Sequence, residues 1–285
     1  MSIKKDHTGR RWVEVEIEVP GTPEEVWEAI ATGPGISSWF VPTEFADGAD
    51  GKPVKVVAHI APDNSMDSVA DVVEWEPPHR FKATSKDLGP DAPEIATEWI
   101  VEARSGSTCT VRVVHSLVTD TDDWDNQLGS WESGWPWFLQ ILRLSLLDFR
   151  NQPCRAFRIM GATGGDPAQA WAYFIKAIGL KECAIGSLCQ APGGMPPLIG
   201  RVKKVGAPGG HHHAALVRLD EPCAGILSTF AMPMGDAVYL VLDFFLYGKR
   251  AEEAAARWEP RWQAWMAERY PMPEDEGRQG GWLPA

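Results

Sequence analysis

The clearest pattern in the chain is the alternation over residues 12–19, where Val13, Val15, Ile17 and Val19 share one face and Glu14, Glu16 and Glu18 the other. A period of two with one apolar face predicts a half-buried strand. Pro20-Gly21 stops it. Thr22-Pro23, with Glu25 three residues after the threonine, has the form of a capping box with proline at the first helical position, so a helix starts there. Val26, Trp27 and Ile30 form its apolar stripe. Gly33-Pro34-Gly35 is expected to end it, with a second short helix over 36–40. Strand-like segments follow at 53–60, 68–76, 80–85, 95–103 and 108–118, separated by turn residues. In the fourth, Thr97, Trp99 and Val101 face inward, opposite Glu98 and Glu102. In the fifth, Cys109, Val111, Val113, His115 and Leu117 face inward, opposite Thr110 and Arg112.

Residues 121–149 then read as one long helix, because Trp131, Trp135, Phe138, Leu139, Leu142 and Leu146 fall on a single broad face. Gly134 and Pro136 lie inside it; Pro136 is expected to kink the helix or mark a break near its start.

The same order returns in the second half. A strand begins over 155–159, Gly161 to Gly165 reads as a turn, and Asp166-Pro167 opens a helix with Ala170, Trp171, Phe174 and Ile178 on one side. Strands are expected over 198–205, 214–219, 225–232 and 237–247, and a closing helix over 252–270. Trp171 lies 144 residues after Trp27, and Trp258, Trp262, Trp265 and Met266 repeat the spacing of Trp131, Trp135, Phe138 and Leu139 at an offset of 127. The second unit is therefore 17 residues shorter between these landmarks, and the loss is expected in its strand region. The domains read as 1–151 and 152–272, with a Pro-, Gly- and charge-rich tail over 273–285 that is expected to fray.

Composition narrows the function classes. The net charge is -12, which argues against a nucleic-acid partner and against docking on an anionic membrane. The polar segment 1–11 does not resemble a secretory signal, and the most apolar stretch, 237–246, is interrupted by Asp243 and reads as a strand, not a membrane span. Five cysteines without a C-x-x-C pair read as free thiols in a reducing cytoplasm. Fourteen tryptophans call for a large core, a ligand cavity, or both.

Taken in order, Val15-Glu16-Ile17-Glu18-Val19, Thr22-Pro23-Glu24-Glu25-Val26-Trp27, Trp39-Phe40, the segment from Asp71-Val72-Val73-Glu74-Trp75 to Arg80-Phe81, and Trp131-Glu132-Ser133-Gly134-Trp135-Pro136-Trp137-Phe138-Leu139 make the first half resemble the START-like (SRPBCC) superfamily. The branch it most resembles is named after homologues of the heat-shock chaperone ATPase activator. The resemblance implies an α+β helix-grip domain, a curved antiparallel sheet around a long C-terminal helix, and the internal repeat extends this reading to two tandem helix-grip domains, the second degenerate. It implies a cavity between sheet and helix but no particular reaction, because the superfamily shares no catalytic motif.

Candidate cavity residues are Trp39, Phe40, Trp99, Val113, His115, Trp131, Trp135, Phe138 and Leu142. Each ring could equally be core filling. His115 could hydrogen-bond a ligand carbonyl, act as an acid or base, or simply be a neutral histidine satisfied by a neighbour. His211-His212-His213, after Ala207-Pro208-Gly209-Gly210, look like a hairpin loop rather than a metal set. Cys183 and Cys189 have no histidine placed for zinc. Gly161-Ala162-Thr163-Gly164-Gly165-Asp166 fits no phosphate loop. Asp120, Asp122, Asp123 and Asp125 are better explained by the start of the long helix than by catalysis. No catalytic residue, metal or other cofactor is expected. The expected partner is a small apolar molecule, with a homodimer as an open option. The leading reading is a binding protein for a small hydrophobic ligand, with the second domain as structural partner or lid. The rivals are a polyketide cyclase or dehydratase-like enzyme, using His115 with Cys109 or a buried acid as proton carriers, and a chaperone adaptor.

Overall fold

The computed structural model describes residues 3–60, 67–89, 91–180, 184–206 and 213–273. Cys183, the loop at 207–212 with His211 and His212, and all but the first residue of the tail at 273–285 lie outside the described residues. The chain divides into two compact units, with the junction between Arg150 and Asn151.

The first unit runs β1 (Lys4–Lys5), β2 (Arg10–Pro20), α1 (Pro23–Ile30), α2 (Gly33–Ser37), β3 (Thr43–Asp47), β4 (Pro53–His59), β5 (Asp67–Glu76), β6 (Arg80–Ser85), β7 (Ile95–Ala103), β8 (Thr108–Val118) and α3 (Asp125–Asp148). Among the described residues the strands form one eight-stranded sheet, ordered β1-β2-β8-β7-β6-β5-β4-β3 and antiparallel between neighbours. The helix α3 packs across β2 and reaches β8.

Local chemistry explains most boundaries. The Thr22 hydroxyl accepts from the Glu25 amide and the Glu25 carboxylate accepts from the Thr22 amide, closing the capping box of α1. Gly33-Pro34-Gly35 does not merely end that helix, as expected; it forms the start of α2, which ends at Ser37 rather than spanning 36–40. Thr32 caps this helix by accepting from the Gly35 amide at 3.0 Å. Proline is tolerated there because its missing N–H would be unpaired in the first turn anyway. Gly35 is required by close approach: a Cβ would lie 2.0 Å from the Glu28 carbonyl oxygen.

Further expectations change. The long helix starts at Asp125 rather than 121, and it continues through Pro136 without a break. Its N-cap residue, Trp124, makes no side-chain cap bond. The nearby carboxylates act instead through Arg11, a buried residue of β2 whose guanidinium bonds Asp122 and, at 2.6 Å, Asp125. Lys5 adds a 3.1 Å bond to Asp122. Thr110, expected to be exposed, is buried, because Arg104 reaches over it and donates to its hydroxyl at 2.9 Å. The short strands β1 and β3 carry no clear alternation and were not foreseen.

The second unit runs β9 (Cys154–Thr163), α4 (Pro167–Ala177), β10 (Leu188–Gln190), β11 (Ile199–Val205), β12 (His213–Glu221), β13 (Gly225–Met234), β14 (Ala237–Tyr247) and α5 (Ala251–Arg269). Among its described residues the sheet has six strands, ordered β10-β11-β12-β13-β14-β9. Asp166 caps α4 by accepting from the Gln169 amide at 2.9 Å. The expected turn from Gly161 to Gly165 is shorter than predicted, since β9 continues to Thr163. Gly161 is needed for contact rather than for turning. A Cβ there would lie 2.5 Å from the Tyr270 carbonyl oxygen, which accepts from the Ala162 amide at 3.1 Å. The chain end of α5 is thereby fastened to the start of the unit. Short β10 was also not foreseen.

Candidate functional site

The inner face of the first sheet carries a continuous set of rings. Trp99 on β7 lies beside Phe81 on β6 with centroids 6.2 Å apart, and Phe81 continues to Trp75 on β5 at 5.5 Å. From the opposite side, α1 brings Trp27 to 5.0 Å from Trp75. The segment after α2 brings Trp39 to 6.0 Å from Trp99 and Phe40 to 4.9 Å from Phe138. Trp135 on α3 meets Trp99 edge-on at 5.2 Å and Phe40 at 5.3 Å. Trp39 and Trp99 are buried, whereas Phe40, Trp135 and Phe138 are half-buried. The floor of the cluster is thus closed and its rim is formed by three rings that touch one another. Edge-to-face contacts of this kind add roughly 0.5–1.5 kcal/mol per pair beyond area burial.

One ionisable side chain enters this cluster. His115 on β8 is buried, with Trp131 4.8 Å away and Trp135 5.5 Å away, ring to ring. The Trp135 indole N–H donates to His115 Nε2. Across the strand pair, Thr97 Oγ1 lies 3.0 Å from His115 Nδ1. An indole can only donate, so Nε2 is the acceptor and the ring proton sits on Nδ1, donating to Thr97. Burial without a compensating charge drives the imidazole pKa down to about 3. His115 is therefore a neutral ring with a fixed tautomer, and both nitrogens are used.

The nine candidate residues fare as follows. Trp39, Phe40, Trp99, His115, Trp131, Trp135 and Phe138 are joined through ring contacts. Val113 is buried and pairs in register with Trp99. Leu142 is fully buried one turn after Phe138. Trp27, Trp75 and Phe81 also belong to the cluster but were not among the candidates. Trp75 escaped because a bulge between Val72 and Glu74 shifts the alternation of β5. Beyond it, Trp75 pairs with inward-facing Phe81 while Glu74 stays outside, 3.0 Å from Arg80. Phe81 was legible from the alternation of Phe81 and Ala83 along β6.

Other sequence candidates do not converge on this site. Cys109 is buried at the far end of β8, where its thiol donates to the Gly21 carbonyl at 3.4 Å and burial pushes its pKa up. That is opposite to what a reactive thiolate needs. Cys189 and Cys223 are buried and Cys154 is half-buried, away from the ring cluster. No group of three or more His, Cys, Asp or Glu among the described residues could hold a metal ion. No helix among them is long and apolar enough to cross a membrane.

Both units wrap an antiparallel sheet around a long C-terminal helix, which defines the helix-grip class. The first unit also matches one family model. That match covers residues 10–136 and is to the family described as polyketide cyclase / dehydrase and lipid transport. No curated protein matches the chain. Among solved structures, the di-domain ARO/CYC BexL from the BE-7585A biosynthetic pathway is 17% identical, with 87% of this chain and 88% of that chain covered and a TM-score of 0.42. CalU16 from Micromonospora echinospora is 16% identical over 51% of this chain and 83% of its own, with a TM-score of 0.39. The Aha1 dimer from Colwellia psychrerythraea is 17% identical over 47% of this chain and 95% of its own, with a TM-score of 0.35.

Proposed function

We propose that the first unit binds a small, largely apolar molecule between the inner face of its sheet and α3. The observation that supports this best is the half-buried rim of Phe40, Trp135 and Phe138 over the closed floor of Trp39 and Trp99. Apolar and aromatic walls with one or two placed polar groups are the usual composition of a small-molecule site. The family description, which includes lipid transport, points the same way.

A catalytic reading, favoured by the cyclase and dehydrase part of that description, asks more of His115. A ring that titrates near 3 is a weak base at neutral pH, and among the described residues no acid converges on it within the ring cluster. Binding is therefore the better supported function. The test is native mass spectrometry of freshly purified protein, followed by organic extraction. The expected result is a discrete small-molecule adduct that is lost in a Phe40→Ala, Phe138→Ala variant. An adduct that persists undiminished in that variant would place binding elsewhere.

A further inference from the structure

We propose that the ligand of the first unit is elongated, with an apolar body lying along α3 over Gly134 and a hydroxyl at one end held by the Gln127 amide, an inference that rests on the binding function proposed above.

Gln127 lies in the first turn of α3, and its Nε2 is buried without a hydrogen-bond partner, the one such side-chain atom among the described residues of this unit. A buried polar atom left unpaired is costly, and a partner that reaches it removes the cost. Gln127, Trp131, Gly134 and Phe138 follow one another at i, i+4, i+7 and i+11, which makes one stripe along the helix. Trp131 packs on His115 of β8, so this stripe is turned towards the inner face of the sheet. Phe138 at its far end is one of the rings of the half-buried rim and touches Phe40.

Between its two ends the stripe has room. Gly134 is half-buried, and a Cβ built on it meets nothing within 4 Å, whereas one on Gly35 would strike backbone at 2.0 Å. About 10 Å of helix separate Gln127 from Gly134, and about 6 Å more lead to Phe138. A compact ring seated at the rim stops short of the amide, whereas a chain laid along α3 reaches it and keeps its body against the rings. A hydroxyl suits the polar end because it both donates and accepts. The amide turns about its last bond to offer either its N–H or its carbonyl, and a hydroxyl pairs with it in both settings.

The experiment is titration of the full chain with octan-1-ol and with 1-chlorooctane, which share a chain and differ at its end, followed by tryptophan fluorescence. Both should bind the unaltered protein. In Gln127→Met, which keeps the length of the side chain and removes the amide, the ratio of octanol to chlorooctane affinity should fall about tenfold. Gln127→Leu serves where Gln127→Met does not fold. Gly134→Leu, which fills the open stretch, should weaken both compounds by about tenfold or more with their ratio kept. A ratio that survives the loss of the amide, or undiminished binding in Gly134→Leu, would overturn the elongated placement while leaving the binding function standing. If neither compound binds the unaltered protein, the binding function itself fails and the placement falls with it.

Discussion

The two units share an element order but spend their side chains differently. The first presents acidic residues on its outer sheet surface, with Glu14, Glu16 and Glu18 exposed along β2, and gathers rings and one neutral histidine inside. The second is apolar on both sheet faces. On β13 and β14, Leu227, Ala231, Leu240, Leu242 and Phe244 face its own helices, while Ile226, Phe230, Met232, Val241 and Phe245 on the other face are also buried. At the centre of that other face Asp243 accepts two bonds from Arg158 on the neighbouring strand, at 2.6 and 3.1 Å. Inside, the second unit leaves the Trp262 indole nitrogen and the Thr229 hydroxyl buried without a partner among the described residues. The comparison teaches that one scaffold can bury a neutral histidine among rings in one copy and an ion pair between strands in the other.

The largest expected effect tests the pairing. Asp243→Leu takes from the half-buried Arg158 guanidinium the buried carboxylate that accepts two of its bonds, and should cost about 3 kcal/mol in urea unfolding of the full chain. Adding Arg158→Met should recover most of that loss, because a well-packed apolar pair substitutes for a buried ion pair without the desolvation cost. No recovery in the double variant would show that the pair carries more than its own charge balance.

Acid should separate the units next. His115 titrates near 6.5 when unfolded and near 3 when folded. The unfolded chain takes the proton first, so the stabilisation is complete above the unfolded value and is lost as pH falls. The slope is about 1.4 kcal/mol per pH unit from about pH 6.5 down towards pH 3. In urea titrations over that range, His115→Gln should lose this one-proton share of the slope. An unchanged slope would show that His115 is accessible to protons in the folded state.

The smallest effect comes from a matched pair. Trp135→Phe takes the donor from His115 Nε2 and should destabilise by about 1–3 kcal/mol, whereas Trp262→Phe removes an unpaired donor and should be neutral or stabilising by up to about 1 kcal/mol. Equal losses at the two positions would erase the distinction drawn between the two interiors.

Much of this was legible in the chain because it depends on near neighbours. Alternation in β2, the capping box at Thr22 and Glu25, the Asp166 cap of α4 and the apolar stripe of α3 are all set within a few residues, and the tandem order follows from them. The apolar run over 237–246, interrupted by Asp243, was likewise legible as a strand, though its burial on both faces was not. Other features required distant groups. Gly35 and Gly161 read as breakers until the backbones that crowd them, at Glu28 and Tyr270, are in place. Trp75 turns inward only because a bulge in β5 resets its alternation against β6. For His115, periodicity was enough to put it inside, but not to say how it is satisfied. Its tautomer is fixed by the donor-only indole of Trp135, 20 residues later, and the Nδ1 proton is received by Thr97, 18 residues earlier. Local sequence determines which face a side chain takes, because that follows from backbone period alone. Only the tertiary structure decides which donor meets which acceptor, because those partners sit on different strands and helices.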